Sequence, residues 1–423
     1  MNLIRKITQS DYVFSIVAKV LGVVMAVVYS VFYNRYLGAE LKGEAAIISN
    51  YISLICSFAC LGMYQAYPFY KKKEGDVFYP FVNTMTSLYS VFIVISIAFF
   101  FIFGNLDANL RIALIIVPIQ SYIRHINYVV MIETPRRCNI ASIIINLFDC
   151  LLIVVFFLFS TATYQNLVCI LIIQTLFNVV LSFSNLRVDA KKLRFSLKLI
   201  FRYAKFGIMP MITLFLMTVN YRIDVLMLEH SSFVSTAQIG IYSVGISLAE
   251  KIWLIPDALK DILLSRLCNG KDEHEVARII RISLVVTIAM VFCVAIIAPV
   301  FVKYVYGEEF IGAEIITTIM LVGVIGMVFY KMVYSYNIAA GRRIENLVFL
   351  GIAAVLNFIG NWIFIPIGGI YAAAWCSVVS YLACGICFLI YFHCVTKLPY
   401  FDILFLKKED VATLRQLISS KKT

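Results

Sequence analysis

The chain has 423 residues, 62% of them hydrophobic and only 14% charged, with a mean hydropathy of +0.92. Soluble globular chains carry roughly 45–50% apolar and about 25% charged residues, so this composition excludes a cytosolic enzyme. The formal charge of +12 does not point to nucleic acid, because the 36 Lys and Arg punctuate apolar runs instead of clustering on a polar domain.

At about 20 apolar residues per crossing, this length holds roughly 12 transmembrane helices and little else. In chain order the apolar runs fall at 12–33, 44–68, 82–103, 111–132, 139–160 and 166–186. After a polar stretch they resume at 203–228, 238–263, 282–305, 313–339, 345–366 and 369–393. The expected fold is all-α: a polytopic membrane protein of two six-helix lobes. The N-lobe covers 1–190, a basic cytoplasmic connection 191–202, the C-lobe 203–395 and a short cytoplasmic tail 396–423. The first run is too long for a removable signal peptide and lacks its small-residue cleavage site, so it is read as an anchor.

Lys and Arg are retained on the cytoplasmic side of short loops. With the N-terminus inside, most basic residues fall on that side, including Lys71 to Lys73, Arg136, Arg137, Arg342, Arg343 and the basic connection. Only Arg35, Lys42, Arg111 and Lys303 fall on the opposite side. Both termini are therefore expected to be cytoplasmic.

None of the 11 cysteines falls in an outside loop, so they read as free, core-like thiols. Cys384 and Cys387 have the spacing of half a zinc site, but they lack a second ligand pair and sit inside an apolar run, so no metal is expected. There is no P-loop signature and no nucleophile elbow, and the four histidines are scattered. With no long soluble segment to house chemistry, movement across or within the membrane remains.

A charge facing lipid costs at least about 2.5–3.5 kcal/mol, so ionisable residues within the runs should face a protein-lined interior. They are Lys19 in run 1, Arg124 and His125 in run 4, Asp149 in run 5, Arg222 and Asp224 in run 7, Glu250, Lys251, Asp257, Lys260 and Asp261 in run 8, and Lys331 in run 10. In run 4, Gln120, Arg124 and Tyr128 recur every four residues beside Ser121 and His125, drawing one polar stripe. Run 8 repeats this with Ser243, Ser247 and Lys251, and run 2 places Asn50, Ser53 and Ser57 on one side.

Plainer readings exist for several of these residues. Glu250, Asp257 and Asp261 are spaced to neutralise Lys251 and Lys260 along one helix. Lys19 and Lys331 are near enough to the inner surface to snorkel. Arg222 and Asp224, two apart, do not face each other. Arg124 has no acid nearby in sequence and lies deep, which makes it the first candidate for a cargo-facing cation. Interior cations imply an anionic cargo, and Arg grips phosphate through paired hydrogen bonds. Tyr128, Tyr242 and Tyr334 are candidates to stack on sugar rings, against a default of interface belt or packing.

Each six-helix half carries a double Arg before its fifth run, Arg136-Arg137 and Arg342-Arg343. A parallel repeat fits this echo, and such lobes rock about a central cavity.

Several motifs carry a resemblance over nearly the whole chain. They are Asn34-Arg35-Tyr36-Leu37-Gly38 with Gly43, Tyr221-Arg222-Ile223-Asp224 followed by Gly240-Ile241-Tyr242-Ser243, and Val305-Tyr306-Gly307. Asn361-Trp362-Ile363-Phe364-Ile365-Pro366 with Gly369 to Ala374 completes the set. Together they resemble the O-antigen and polysaccharide flippases of the Wzx type, within the multidrug/oligosaccharidyl-lipid/polysaccharide (MOP) exporter superfamily. Arg35 and Gly38 match a family motif, whereas Tyr371 and Ala372 stand where the family often has glycine.

The resemblance implies a MATE-like exporter architecture in a bacterial inner membrane. It implies translocation of an undecaprenyl-diphosphate-linked oligosaccharide, the O-antigen repeat unit, from the cytoplasmic to the periplasmic leaflet by alternating access. The family's cationic cavity would map onto Lys19, Arg124, Arg222, Lys251 and Lys331. No cofactor is expected. Asp224, Glu250 and Asp149 serve either as proton or sodium (H+ or Na+) coupling sites or as counter-ions to Arg222 and Lys251. Expected partners are the lipid-linked oligosaccharide, membrane lipids, a polysaccharide polymerase and a chain-length regulator. Lipid II flippases rank lower, because they typically carry two additional C-terminal helices. The rivals are a MATE-type cation-coupled drug exporter, which would want an acid-rich pocket, and a membrane polysaccharide polymerase or glycosyltransferase, which would want a long outside loop or a soluble domain.

Overall fold

The computed structural model describes residues 11–186, 196–268, 273–407 and 410. The 187–195 part of the basic connection, and the tail beyond 410, lie outside these described residues. The described residues are built from helices, ten of which are long and apolar enough to cross a membrane. Two of the ten are interrupted at a glycine. Helix α1 (Asp11–Ala59) breaks at Gly38, with φ 67. Helix α12 (Arg343–Thr396) breaks at Gly369, with φ 53. Both dihedrals lie in the left-handed region that a side chain would resist, so each long helix is two crossings joined at a glycine corner. Twelve apolar segments result, as the hydropathy pattern predicts, and the chain is a multi-pass membrane protein.

Between them run α2 (Ala66–Glu74), α3 (Phe78–Ile102), α4 (Ala108–Glu133), α5 (Pro135–Phe159), α6 (Tyr164–Leu186) and α7 (Leu197–Glu229). There follow α8 (Thr236–Glu250), α9 (Leu254–Cys268), α10 (Glu273–Phe301) and α11 (Ala313–Ala339), and, after α12, the short α13 (Tyr400–Leu404). The helix starts follow local chemistry. Asp107 caps α4 by accepting from the backbone N–H of Asn109 at 2.9 Å, and Pro135 opens α5 where no N–H partner is needed. A reciprocal pair, Gln238 N–H to Ser235 Oγ at 3.3 Å and Ser235 N–H to Gln238 Oε1 at 3.0 Å, starts α8. The apolar run at 238–263 is not one helix. A 3-10 turn at Lys251–Trp253 separates α8 from α9, placing Glu250 and Lys251 at the break.

The chain divides into two compact units, Met1–Thr218 and Val219–Thr423. In the first, α4 is the hub, packed by α1, α3, α5 and α6. In the second, α11 is the hub, packed by α8, α9, α10 and α12. These are the fourth helices of their halves and, with the span at Thr236–Lys260, the most buried ones among the described residues. They carry Arg124 and Lys331, whose separation nearly equals that of the two double-Arg pairs.

Outside the spans, the segment after α12 folds back on α10. The Asp410 carboxylate accepts from Arg281 Nε at 2.6 Å and Nη2 at 2.9 Å, and also from the backbone N–H of Lys407 at 2.9 Å. Burial raises the Asp410 carboxyl, but these hydrogen bonds and the charge of Arg278 outweigh it and hold the group below its ordinary value. A lowered folded-state value means the contact stabilises fully above the ordinary aspartate range and is lost as pH falls through the lowered value. Hydrogen exchange of 397–407 is therefore expected to stay slow from pH 7 to 5 and to rise only below about pH 4. Asp410→Asn should raise it already at neutral pH; unchanged exchange in that variant would show that the pair does not hold the segment.

Candidate functional site

The first unit carries an open cavity of about 620 Å³ bounded by the second half of α1 with α4, α5 and α6. That size falls in the range of small-molecule sites, roughly 300–1,000 Å³. From α4 come Gln120, Arg124 and Tyr128, the three residues recurring every four along run 4. Ser121 and His125, which flank them in sequence, turn the other way and are fully buried. His125 sits among the rings of Tyr64, Tyr89 and Phe81, with Nδ1 2.7 Å from the carbonyl of Ser121. The stripe thus splits into a cavity face and a core face. Run 2 splits likewise: Ser53 lines the cavity, while Asn50 and Ser57 are buried.

Arg124 is exposed toward the cavity and forms no salt bridge among the described residues. Asp149 lines the same cavity, and its Oδ1 is buried without a hydrogen-bond partner among the described residues. Around these two stand the amides of Asn127, Gln174 and Asn178. Those amides were not singled out from the sequence, although Gln174 and Asn178, four apart on an otherwise apolar helix, carried the signal. A guanidinium offers a planar fork to two phosphate oxygens, and the amides offer donors and acceptors suited to hydroxyl and acetamido groups. The lining therefore combines one cation, one carboxylate and several neutral hydrogen-bonding groups.

The second unit treats its charges differently. Lys331 is buried on α11, with Nζ 2.7 Å from Asp257 Oδ1 and 4.8 Å from the ring centre of Trp253. It does not snorkel. Asp257 also accepts from Lys260 at 3.4 Å, the expected local pair. Arg222 reaches Glu250 at 3.2 Å, which makes Glu250 its counter-ion. Lys251 stands half-buried at the helix break. Arg35 is exposed on α1, three residues before the Gly38 corner. The side chains of Lys19 and Asp261 lie outside the described residues. Arg124 therefore belongs to the first unit and Arg222, Lys251 and Lys331 to the second, where two of the three are engaged by acids.

Asp224 forms no salt bridge with Arg222 among the described residues, although the two charges are near enough to interact. It is buried, accepting from Tyr242 Oη at 2.5 Å, Ser377 Oγ at 3.2 Å and its neighbour's backbone N–H at 2.9 Å. Tyr242 is consequently a partner of this carboxylate and fully buried, so it cannot stack on a sugar. Asn220, Asn357, Asn361 and Ser380 continue the network: Asn357 Nδ2 donates to the Asn220 carbonyl at 2.9 Å, and Ser380 Oγ donates to Asn220 Oδ1. A sequence scan for charges passes over such uncharged members. The spacing of Asn357 and Asn361 was their only trace.

The Lys331–Asp257 pair predicts an asymmetry. Removing Asp257 strands a buried ammonium, whereas removing Lys331 leaves Asp257 partly solvated and still beside Lys260. Stranding a buried charge costs about 3–5 kcal/mol. Asp257→Asn should lower the melting temperature of the purified protein clearly, Lys331→Met only slightly, and Lys331→Met should restore most of the loss in the Asp257→Asn background. Equal losses in the two single variants would contradict this pairing.

Residues 34–315 match the family of polysaccharide biosynthesis proteins. No curated protein matches the chain by sequence. Among solved structures it is similar to the lipid II flippase MurJ in an inward closed conformation, with a TM-score of 0.69 and 16% identity over 98% of this chain and 93% of that one. It is also similar to an inward-facing multidrug resistance MATE family transporter of the MOP superfamily, with a TM-score of 0.62 and 11% identity over 88% and 94% of the two chains. A third likeness is to a MOP superfamily transporter from Pyrococcus furiosus, described as having a binding pocket of reverse polarity, with a TM-score of 0.60 and 12% identity over 90% and 94%. At these identities the likeness establishes the fold, that of MOP transporters.

Proposed function

The chain belongs to the polysaccharide biosynthesis protein family, and from that premise we propose that it is a flippase for a lipid-linked oligosaccharide. The cargo is an undecaprenyl-diphosphate-linked O-antigen repeat unit, moved from the cytoplasmic to the periplasmic leaflet of a bacterial inner membrane by alternating access. The observation that carries this reading is Arg124, a cation that forms no salt bridge among the described residues, in a polar cavity large enough for a diphosphate and its first sugar; the cavity also holds one carboxylate, Asp149. Arg124 gives an anionic headgroup a charge-assisted contact that an organic cation could not use, which supports the flippase over a drug exporter, with Asp149 kept for coupling. Arg124 holds the diphosphate, and Asn127, Gln174, Asn178 and Tyr128 contact the sugar. Arg222, Lys251 and Lys331 contribute less directly, since Glu250 and Asp257 already engage two of them.

The test is translocation in vesicles. A prenyl-diphosphate oligosaccharide labelled on its sugar is placed in both leaflets, and an impermeant quencher is added outside. The protein should expose the inner-leaflet pool to the quencher faster than protein-free vesicles do. Transport of an organic cation dye with no movement of the lipid-linked sugar would overturn the reading.

Coupling is assigned to Asp224, with Asp149 as the second carboxylate, because neither forms a direct salt bridge among the described residues. A buried carboxylate with hydroxyl and amide neighbours can take up a proton or a sodium ion. Asp224→Asn keeps the shape and removes the charge. Its translocation rate under a proton or sodium gradient should fall about tenfold or more, to the rate measured without one, if coupling contributes at least ~1.4 kcal/mol. A variant that still responds to the gradient would remove Asp224 from the mechanism.

A further inference from the structure

A second cavity, of about 480 Å³, lies in the second unit where α7 ends and the first half of α12 approaches its glycine corner. His230, Phe233, Phe358, Asn361, Trp362 and Pro366 are among its lining residues. Phe358 and Trp362 meet edge to face, ring centres 5.9 Å apart at 76°, forming an aromatic corner. Trp362 is 68% exposed and Phe233 69%. Exposed aromatics at a helix end are ordinarily an interface belt. Asn361 is what a belt does not explain.

The Asn361 side chain is fully buried in the wall of this cavity. Its Nδ2 donates to Asn357 Oδ1, but its Oδ1 has no partner among the described residues. A buried acceptor in a cavity wall is open to a donor from ordered water or from a ligand hydroxyl that replaces it. His230 Nδ1 is held by the Leu226 carbonyl at 2.8 Å, so Nε2 is the ring nitrogen left to face a ligand. Ser231 and Ser232 add hydroxyls. No lysine, arginine or carboxylate lines the cavity, so a phosphate headgroup would find no cation there. Aromatic faces beside hydroxyl-accepting groups, without charge, match the apolar faces and hydroxyl edges of a neutral sugar.

We propose that this cavity is a carbohydrate subsite, separate from the Arg124 cavity, that takes neutral sugar residues of the cargo headgroup at the end of the second unit bearing the α7–α8 connection. Trp362 and Phe358 stack on a sugar ring, and Asn361 Oδ1 accepts from a hydroxyl. As an assignment of cargo contacts it rests on the flippase reading.

Saturation-transfer NMR on the full chain in lipid nanodiscs tests it, with free neutral trisaccharides of glucose, galactose and N-acetylglucosamine at millimolar concentration as probes, and glycerol phosphate as the anionic control. Transfer to the ring protons of at least one trisaccharide is expected, with none to glycerol phosphate in the Arg124→Gln background, where the phosphate site of the other cavity is removed. It should fall at least fivefold in Trp362→Ala and in His230→Ala, and persist in Arg124→Gln. The same nanodisc preparation is moved to vesicles for the translocation assay, so that the two readings fail separately. Translocation without sugar contact, or sugar contact unchanged in Trp362→Ala, overturns the subsite and leaves the flippase reading intact. Trp362-dependent sugar contact without translocation sustains the subsite and overturns the flippase. Transfer to glycerol phosphate in the Arg124→Gln background that is as strong as to the sugars and falls in Trp362→Ala makes the cavity a lipid-headgroup contact and overturns the proposal.

Discussion

Arg124→Gln is expected to reduce translocation of the lipid-linked oligosaccharide by about 10- to 100-fold at equal protein level, which corresponds to roughly 1.4–2.8 kcal/mol. The substitution removes a charge and the guanidinium fork but keeps an amide that can still donate, so the loss reports charge-assisted contacts to phosphate specifically. Arg124→Lys keeps the charge and loses the bidentate geometry, and should fall between the two. Folding should be little affected, because Arg124 has no salt bridge to lose among the described residues and is exposed to the cavity. Lys331→Met is the matched comparison. It removes the cation from the corresponding hub helix, but one already neutralised by Asp257, and should leave transport within about twofold of wild type, a difference of ~0.4 kcal/mol. If Arg124→Gln transports normally and Lys331→Met does not, the two units have been assigned the wrong roles. Transport and protein level measured side by side decide this.

Gly207→Ala is expected to deplete the folded protein. Gly207 lies in the first part of α7, and a Cβ there would stand 2.0 Å from the carbonyl oxygen of Leu61, 2.8 Å from the carbonyl carbon of Gly62 and 2.9 Å from the backbone N of Met63. All three are backbone atoms, which cannot rotate aside as a side-chain tip can. Helix propensity alone would favour alanine by about 1 kcal/mol. Overpacking costs about 1–3 kcal/mol and more when the backbone must move, so sterics outweigh propensity. Gly385→Ala repeats the experiment in the second unit, where the new Cβ would stand 2.1 Å from the carbonyl oxygen of Gly326. Gly104→Ala is the control, since a Cβ at that position would meet nothing within 4 Å. Yield and melting temperature of the three variants should fall, fall and hold. Normal yield of Gly207→Ala would show that the contact between α7 and the 60–63 turn is looser than described.

The fold was legible because lipid imposes one requirement, apolar length, and the twelve runs meet it one by one. The corners at Gly38 and Gly369 fall where the sequence separates run 1 from run 2 and run 11 from run 12, although glycine turns the chain there without a long polar loop. The break at Lys251–Trp253 was legible in part: Glu250 and Lys251 interrupt the apolar run there and Pro256 follows, but the sequence did not specify a turn that ends one helix and starts another. Within the site, Arg124 stood out because a deep cation with no acid at three or four residues has no local explanation. The partners of Lys331 and Arg222 did not stand out in the same way, because Asp257 and Glu250 are 74 and 28 residues away in the chain and meet them only through packing. Amides were the largest omission. Asn127, Gln174 and Asn178 in one unit, and Asn220, Asn357 and Asn361 in the other, carry no charge to mark them, yet they supply much of the polar surface in both interiors.

Cys138 lines the Arg124 cavity and gives direct access to the central claim. With Cys138 as the sole remaining cysteine, its labelling by a small methanethiosulfonate is measured in membranes with and without undecaprenyl-diphosphate-linked oligosaccharide. The lipid-linked sugar should slow labelling several-fold, and Arg124→Gln should abolish that protection while leaving the unprotected rate unchanged. Labelling that proceeds at one rate with or without the cargo would contradict the placement of an anionic headgroup in this cavity.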